Sequence, residues 1–234
     1  MTTKPLGRKN YGSIPHLPDS RMGPGDHHCH EGQEEICTNR LRDRHDLVIC
    51  TEKLDGSNVG VARIGDDILA LGRAGYLAQT SKFIQHQWFA DWVRKNEDRF
   101  RSALQPGQRI VGEWLAQAHG TRYKLTHEPF VVFDLMEDDR RLPYSAIEQL
   151  QDRFVLAHVI QKGGPICVGL GFEELERGGR NGFHGAIDPV EGMVWRIERK
   201  GEFDFMAKFV RPTKVDGAYL PEVSGLDPVW NWTP

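Results

Sequence analysis

The chain has 234 residues, of which 39% are hydrophobic and 27% are charged. This composition excludes a disordered or fibrous chain and is typical of a folded protein with one principal domain. The formal net charge is -3, so no global positive field draws the protein onto a nucleic acid. Any such contact must depend on local basic patches.

The longest apolar runs, such as Phe130 to Met136, are far shorter than the roughly 20 residues that span a bilayer. No apolar stretch of a secretory signal follows the basic groups near the N-terminus. We therefore expect a cytoplasmic protein without a membrane span. The cysteines are expected to be reduced thiols, because they are few for this length. They are Cys29, Cys37, Cys50 and Cys167.

Residues 1–45 are expected to form an irregular N-terminal arm, because they are rich in glycine, proline and histidine and show no sustained period. The run from Asp26 to His30, with Cys37, could bind zinc, but its spacing matches no standard zinc signature and favours a solvated polar loop. Tyr11 to Pro18 resembles a structured turn, which either folds over a nucleotide or packs on the core.

The next segments predict strands joined by tight turns, at Leu47 to Thr51, Val59 to Ile64 and Ile68 to Leu71. From Ser81 to Leu104, apolar residues recur at helical spacing, which predicts one amphipathic helix with Thr80 or Ser81 as N-cap. Buried strands are predicted at Arg109 to Leu115 and Phe130 to Met136.

A capping box at Ser145 to Glu148 predicts a second helix, and Val155 to Ile160 predicts another strand. Gly192 to Arg199 and Phe203 to Val210 flank Lys200-Gly201 and predict a hairpin. Strands in hairpins, rather than in regular β-α alternation, predict an α+β fold of mainly antiparallel sheets with flanking helices.

The most informative stretch is Glu52-Lys53-Leu54-Asp55-Gly56-Ser57-Asn58, in which a lysine leaves a buried strand into a tight turn. A lysine attacks phosphorus only as the neutral amine, so desolvation or neighbouring cations must lower a pKa that is normally about 10.4. By itself, Lys-x-Asp-Gly is more often a solvated surface turn.

Further short motifs follow in order: Gly72-Arg73, Gly112-Glu113-Trp114, Phe130 to Asp134, Glu191 to Arg196 and Ala207-Lys208-Phe209. Each alone is weak evidence, but the ordered set, with every motif on a strand or at its end, is not expected by chance. With Lys53 as the motif I lysine, the set resembles the covalent nucleotidyltransferase superfamily of RNA ligases, DNA ligases and mRNA capping enzymes. The resemblance covers about residues 46–212 and implies a nucleotidyltransferase (ligase adenylation domain) fold.

The resemblance implies an ATP-dependent RNA ligase that uses Mg²⁺ or Mn²⁺ and acts in RNA repair. Lys53 would attack the α-phosphorus of ATP to form lysyl-AMP, and AMP would pass to an RNA 5′-phosphate. An RNA 3′-hydroxyl would then displace AMP to seal the strand. Each step is a phosphoryl transfer, which depends mainly on positioning and charge neutralisation.

By the same resemblance, the catalytic residues are Lys53, Asp55, Glu191 and Lys208, with Asp55 and Glu191 near the metal. The residues expected to bind the nucleotide are Glu52, Gly56, Asn58, Arg73, Glu113, Phe133 and Arg211. Arg73 would contact a phosphate or ribose oxygen, Glu113 the ribose hydroxyls, and Phe133 would stack on adenine. Taken singly, each has a structural explanation, as a surface arginine, a buried ion pair and a core aromatic.

A register argument connects Glu191 with Lys208. If Lys200-Gly201 is a two-residue loop, Met193 pairs with Lys208, and Glu191 shares the face of Met193. Both side chains could then address one nucleotide, whereas a shift of one residue would separate them.

The sequence departs from the family at motif V, where two lysines separated by one residue are usual and only Lys208 is present. Either Arg211 or Lys214 supplies the missing charge, or Met206 occupies the first lysine position.

The segment after Val210 is too short for the OB-fold that DNA ligases and capping enzymes carry, so residues 213–234 are expected to be a C-terminal tail. This favours an RNA ligase whose other RNA contacts come from the N-terminal arm or from an accessory protein. The alternatives are a GTP-dependent capping-type guanylyltransferase and a non-catalytic nucleotide- or RNA-binding domain. The joint presence of Lys53, Asp55, Glu113 and Glu191 favours catalysis.

Overall fold

The structure, a computed structural model, describes residues 4–234. Numbered along the chain, the strands are β1 (Asp46–Lys53), β2 (Ser57–Ile64), β3 (Asp67–Gly72), β4 (Gln108–Trp114), β5 (Phe130–Glu137), β6 (Arg140–Arg141), β7 (Val155–Leu156), β8 (Val159–Gly163), β9 (Gly192–Arg199) and β10 (Glu202–Val210). The α-helices are α1 (Glu31–Thr38), α2 (Ile84–Lys95), α3 (Glu97–Ala103), α4 (Tyr144–Glu148), α5 (Val168–Glu176) and α6 (Pro221–Ser224).

The strands form two sheets, which confirms the predicted mixed fold with mainly antiparallel sheets. One sheet has the order β10-β9-β1-β8, and the other has the order β3-β2-β4-β5-β6, with β7 pairing in parallel to β5. Because β1 and β2 are consecutive but belong to different sheets, the loop after Lys53 connects the two layers. No helix among residues 4–234 has the length and apolar character that a bilayer crossing requires.

Aromatic side chains fill the core between the larger sheet and the pair α2 and α3. Phe89 of α2 and Phe100 of α3 are fully buried against Trp114 and Phe130 of the sheet, with 5.2 Å between the ring centroids of Phe89 and Trp114. Such rings remove a large apolar area from water, so this core holds β2, β4 and β5 in place. The ends of these strands carry several of the motif residues.

The single helix predicted from Ser81 to Leu104 is wrong, because the structure has two helices separated at Asn96. The Asn96 side chain donates to the carbonyl of Trp92 at 2.8 Å and competes with continuation of the helix. Ser81 does not cap α2 either. Its hydroxyl accepts the backbone N–H of Phe83, which stabilises the turn before the helix.

Two further local predictions differ from the structure. Ser145 lies inside α4 rather than capping it, because the helix begins directly after Pro143. The strand predicted from Val155 to Ile160 is divided into β7 and β8, which belong to different sheets. The chain changes sheet at Ala157-His158, where Ala157 donates to a carbonyl of β5 and His158 accepts from a backbone N–H of β1.

The predicted β9–β10 hairpin is confirmed, with φ of 54° at Lys200 and 80° at Gly201, as expected for a type I′ turn. Its register is not the predicted one. A bulge at Asp204 shifts the pairing by one residue, so that Lys208 lies opposite Val194 and Phe209 lies opposite Met193. The predicted pairing of Met193 with Lys208 is therefore wrong.

The N-terminal arm is more ordered than its composition predicted. It contains α1, and Pro15 to Leu17 run parallel to the outer edge of β10. The backbone N–H of Lys208 donates to Pro15 at 2.9 Å, and that of Leu17 donates to Lys208 at 2.8 Å. These bonds cover a strand edge that would otherwise expose unpaired backbone groups. They also place the arm beside Lys208.

Candidate active site

A cavity of about 680 Å³ is lined by residues of both sheets, of the arm and of the segment after β3. Ten of the eleven residues predicted for catalysis or nucleotide binding line it. They are Glu52, Lys53, Asp55, Gly56, Asn58, Arg73, Glu113, Phe133, Glu191 and Lys208. The volume is within the range typical of small-molecule sites.

Arg211 is the exception among the predicted residues. Its guanidinium lies over the ring of Phe172, 4.4 Å from the centroid, and pairs with Glu176. Its Nε donates to the carbonyl of Val190 at 3.2 Å. The structure thus places Arg211 on the outer surface beside α5, away from the residues that line the cavity.

Lys53 is the last residue of β1, and the pairing of β1 with β9 places it opposite Gly192. This register brings the side chain of Glu191, immediately before β9, to the lysine. The Nζ atom of Lys53 donates to Oε2 of Glu191 at 2.6 Å. A Cβ atom at Gly192 would lie 1.8 Å from the carbonyl oxygen of Phe209, so only glycine lets the strands approach so closely here.

Three carboxylates set the charge state of Lys53. Burial lowers its pKa, but the charges of Glu191, Glu113 and Asp55 outweigh burial and raise the pKa above its ordinary value. In this arrangement the lysine is an ammonium ion, not the amine that nucleophilic attack requires. Additional positive charge near the carboxylates would release the amine.

Glu113 faces the start of β2, because Asn58 of β2 pairs with Glu113 of β4. Its Oε1 atom accepts the backbone N–H of Gly56 at 3.2 Å. Burial raises the pKa of Glu113 to about 8, although the Lys53 ammonium partly offsets this effect. A Cβ atom at Gly56 would lie 2.5 Å from the carbonyl of Trp114, which explains the glycine at this position.

Asp55 is held by groups from outside the motif. Its Oδ2 atom accepts the backbone N–H of Gly120 at 2.7 Å and an ion-pair hydrogen bond from Nζ of Lys214. Lys214 is 5% exposed and also donates to Oγ1 of Thr121 at 2.5 Å. Burial raises the pKa of Asp55, but the Lys214 charge reverses this and the net pKa is lowered.

The structure bears on the alternatives for motif V. Met206 lines the cavity two residues before Lys208, whereas Lys214 brings a cation to the cavity wall through Asp55. Lys214 thus contacts the motif I loop through Asp55, and Arg211 does not. The sequence offered Lys214 only as one alternative, because nothing local indicates that it contacts Asp55.

Two residues that line the cavity each have a buried polar atom without a hydrogen-bond partner among the described residues. The atoms are Oε1 of Glu52 and Oδ1 of Asn58. The other oxygen of Glu52 accepts the backbone N–H of Phe183 at 2.8 Å, and burial raises the pKa of Glu52 to about 7. Unpaired buried polar groups cost free energy, so both atoms fit a site where a polar ligand satisfies them.

Phe133 and Arg73 occupy different parts of the cavity. Phe133 is half-buried on β5, and its ring meets the edge of the Tyr11 ring with 5.4 Å between centroids. Arg73 is exposed just beyond β3, with a guanidinium nitrogen 3.5 Å from the hydroxyl of Ser13. One side of the cavity thus offers an aromatic face, and its rim offers a cation.

The arm adds residues that the sequence did not assign to this site. Nζ of Lys208 lies 3.8 Å from Oδ1 of Asp26, whose other oxygen is 3.0 Å from Nε2 of the buried His16. Burial and the Lys53 charge lower the pKa of Lys208, and Asp26 opposes them. Lys208 and Glu191 line one cavity, as predicted. The predicted pairing of Met193 with Lys208 is not the reason, because Glu191 lies just before β9 and the bulge in β10 shifts the register of Lys208 by one residue.

The run from Asp26 to His30 was considered as a zinc site. Among residues 4–234, no group of three or more histidine, cysteine or acidic side chains is arranged to hold a metal ion. All four cysteines have free thiols. A divalent cation at the predicted carboxylates would therefore need ligands from a nucleotide or from water in addition to the protein.

Comparison with known proteins gives a family match and several structural matches. A family model described as RNA ligase matches residues 46–210, which is more than half of the chain. The search of curated proteins gave no match. Three similar solved structures are mutants of a Naegleria gruberi RNA ligase, one with AMP and Mn, one with ATP and Mn, and one apo.

The structural matches have TM-scores of 0.52, 0.52 and 0.53 at sequence identities of 20%, 20% and 19%. They cover 82%, 78% and 97% of this chain. The chain in turn spans 56%, 53% and 64% of those proteins. At this identity the similarity establishes a shared fold.

Proposed function

The chain belongs to the RNA ligase family, and on that premise we propose that it is an ATP-dependent ligase that forms lysyl-AMP at Lys53 and joins RNA ends. The observation that carries the proposal is the contact of 2.6 Å between Nζ of Lys53 and Glu191, with Glu113 and Asp55 close enough to shift the same pKa. A protein that only bound a nucleotide would not need a half-buried amine among three carboxylates.

The lining of the cavity supports ATP as the nucleotide. Two of the solved relatives carry AMP or ATP together with Mn. In this chain, the half-buried ring of Phe133 offers a stacking surface for a base. The unpaired oxygens of Glu52 and Asn58 offer acceptors for donors on the ligand. Arg73 and Lys208 supply the positive charge that phosphates require.

A divalent cation fits the same set of residues. Glu191 and Asp55 would hold it, because hard cations select oxygen ligands and both carboxylates line the cavity. When bound, such a cation would neutralise carboxylate and phosphate charge. The carboxylates raise the pKa of Lys53 in the protein without a cation. Once their charge is neutralised, the pKa of Lys53 would fall and its proton would be released more easily.

The residues of the chain then have distinct tasks in forming the intermediate. Lys53 forms the bond to the α-phosphorus as the bond from that phosphorus to pyrophosphate breaks. Glu191 orients Nζ through its hydrogen bond, and the proton that Nζ loses passes to solvent, since the Lys53 side chain is 22% exposed. Lys208 stabilises charge on the phosphates, and Glu113 is assigned to the ribose hydroxyls. The later transfer to an RNA 5′-phosphate and sealing by a 3′-hydroxyl would use the same charged groups.

The test is intact mass spectrometry after incubation with ATP and Mg²⁺ or Mn²⁺, with GTP in a parallel reaction. We expect an AMP adduct on the native protein and none on Lys53→Ala. Lys162→Ala is the matched control, because Lys162 pairs with Glu148 at the same 2.6 Å distance but at the surface. It should form the adduct normally.

A GMP adduct without an AMP adduct would instead indicate a capping-type guanylyltransferase. The absence of any adduct, in folded protein that carries no AMP at the start, would favour a binding domain. If the adduct forms, release of AMP on addition of 5′-phosphorylated RNA tests the second step, and joined RNA tests the third.

A further inference from the structure

Two segments that border the mouth of the cavity contain no acidic residue, although 33 of the 234 residues are aspartate or glutamate. One runs over residues 4–18 of the arm, and the other runs over residues 68–90, from β3 into α2. The basic residues in these segments are Lys4, Arg8, Lys9, Arg73 and Lys82. These two segments therefore carry local positive charge, although the chain as a whole is negatively charged.

The two segments form one continuous surface. The backbone N–H groups of Asn10 and Tyr11 donate to the carbonyl of Arg73 at 3.0 and 3.4 Å. Gly75 packs against the backbone of Arg8, and a Cβ atom there would lie 2.0 Å from the Arg8 carbonyl. Residues from both segments line the cavity.

Most of the cations on this surface are available to a ligand. Arg8 is paired with Asp139 at 2.7 Å. Within residues 4–234, the ion pairs formed by basic side chains do not include Lys4, Lys9, Arg73 or Lys82. Lys9, Arg73 and Lys82 are exposed. A basic surface of this kind suits a chain of phosphates.

Aromatic rings lie among these cations. Tyr76 is 42% exposed, and Nζ of Lys4 lies 4.9 Å from the centre of its ring. Phe83 is partly exposed, with Nζ of Lys82 at 5.0 Å from its ring centre. Alternation of aromatic rings and cations is the arrangement by which proteins bind unpaired nucleotides, since bases stack on the rings and phosphates meet the cations.

We propose that this surface, from Lys4 and Lys9 across Tyr76 to Lys82 and Phe83, binds the unpaired 5′-phosphorylated end of an RNA strand. The inference rests on the proposed function and adds to it the class of RNA end and the place where it binds. An RNA laid along this rim reaches the cavity that contains Lys53, which is where its 5′-phosphate must receive AMP. Stacking on Tyr76 favours a single strand over a blunt duplex, whose terminal bases are paired.

The test measures binding of a fluorescent single-stranded RNA that carries a 5′-phosphate, without ATP, by anisotropy at several salt concentrations. We expect Tyr76→Ala to weaken binding by about fivefold to a hundredfold, and Tyr76→Phe to retain it, because the ring supplies the stacking. Lys82→Ala should reduce the slope of log Kd against log salt by about 0.7. Lys200→Ala, in the exposed β9–β10 turn, is the matched control and should change neither quantity.

Two results would overturn the proposal: affinity that is unchanged in Tyr76→Ala and Lys82→Ala, or a blunt duplex that binds as tightly as the single strand. The lysyl-AMP adduct is measured separately by mass, so the two proposals fail independently. If the adduct forms but RNA binding does not depend on Tyr76, only the proposed RNA-binding surface is refuted. If RNA binding depends on Tyr76 but no adduct forms, only the proposed ligase activity is refuted.

Discussion

Replacing Lys214 by methionine removes the buried cation that pairs with Asp55 while retaining most of the volume of the side chain. The two side chains are only 4% and 12% exposed, so solvent does not compensate for the loss. Breaking a buried ion pair by removing one partner costs about 3–5 kcal/mol. Asp55 keeps the Gly120 N–H at 2.7 Å and the nearby Lys53 charge, so we expect the lower value, about 3 kcal/mol.

For a chain of this length, about 3 kcal/mol corresponds to a fall in Tm of roughly 6–12 °C. The deficit depends on pH in a defined direction. In the native protein the folded pKa of Asp55 is lowered, so the stability it contributes is present above its unfolded pKa and lost in acid. Without Lys214, burial raises that pKa instead, so the deficit should be largest near pH 8 and smaller near pH 4, where Asp55 is protonated in the variant but still ionised in the native protein.

Urea unfolding of the native protein, Lys214→Met, Asp55→Asn and the double variant forms a cycle that isolates the pair. We expect a coupling free energy above about 1.5 kcal/mol, because the neutral amide that replaces the carboxylate in the double variant needs no cation. Lys162→Met is the control for an exposed pair and should cost about 0–1 kcal/mol. Additive single effects, or a deficit equal at pH 4 and pH 8, would refute the assigned role of Lys214.

Burial raises the folded pKa of Glu113 to about 8, so the native protein loses stability as pH rises through that value. Glu113→Gln removes this loss, so the free energy of unfolding of the variant minus that of the native protein should be roughly 3 kcal/mol more favourable at pH 9 than at pH 5, measured by urea unfolding. An equal effect at both pH values would contradict this. Asp26→Asn should lower the rate of lysyl-AMP formation about fivefold at high pH and less at pH 6, because Asp26 keeps Lys208 protonated. Asp19→Asn, an exposed residue with φ of 60°, is its control, and equal losses in both variants would show that the arm is merely disturbed.

Local patterns in the sequence determined much of the fold and the centre of the candidate site. The strands that carry Lys53, Glu113 and Phe133 were predicted because alternation and apolar runs act over a few residues, the range over which the backbone selects a strand. The turn Lys200-Gly201 was predicted for the same reason. Motif order then predicted that most of the proposed site residues would meet, and ten of the eleven line one cavity.

Tertiary structure alone decided the contacts between distant segments. Lys214 and Asp55 are 159 positions apart, and no periodicity connects them. The bulge at Asp204 changed the register of Lys208 without a signal in the turn that precedes it, and Arg211 turned outward to Glu176. The Lys214–Asp55 pair follows from which buried charges find partners once the sheets are packed, because an unpaired buried charge is too costly to keep. The partners of Asp55 and Lys208 come from the C-terminal segment and from the arm, whose sequences show no local period that would place them.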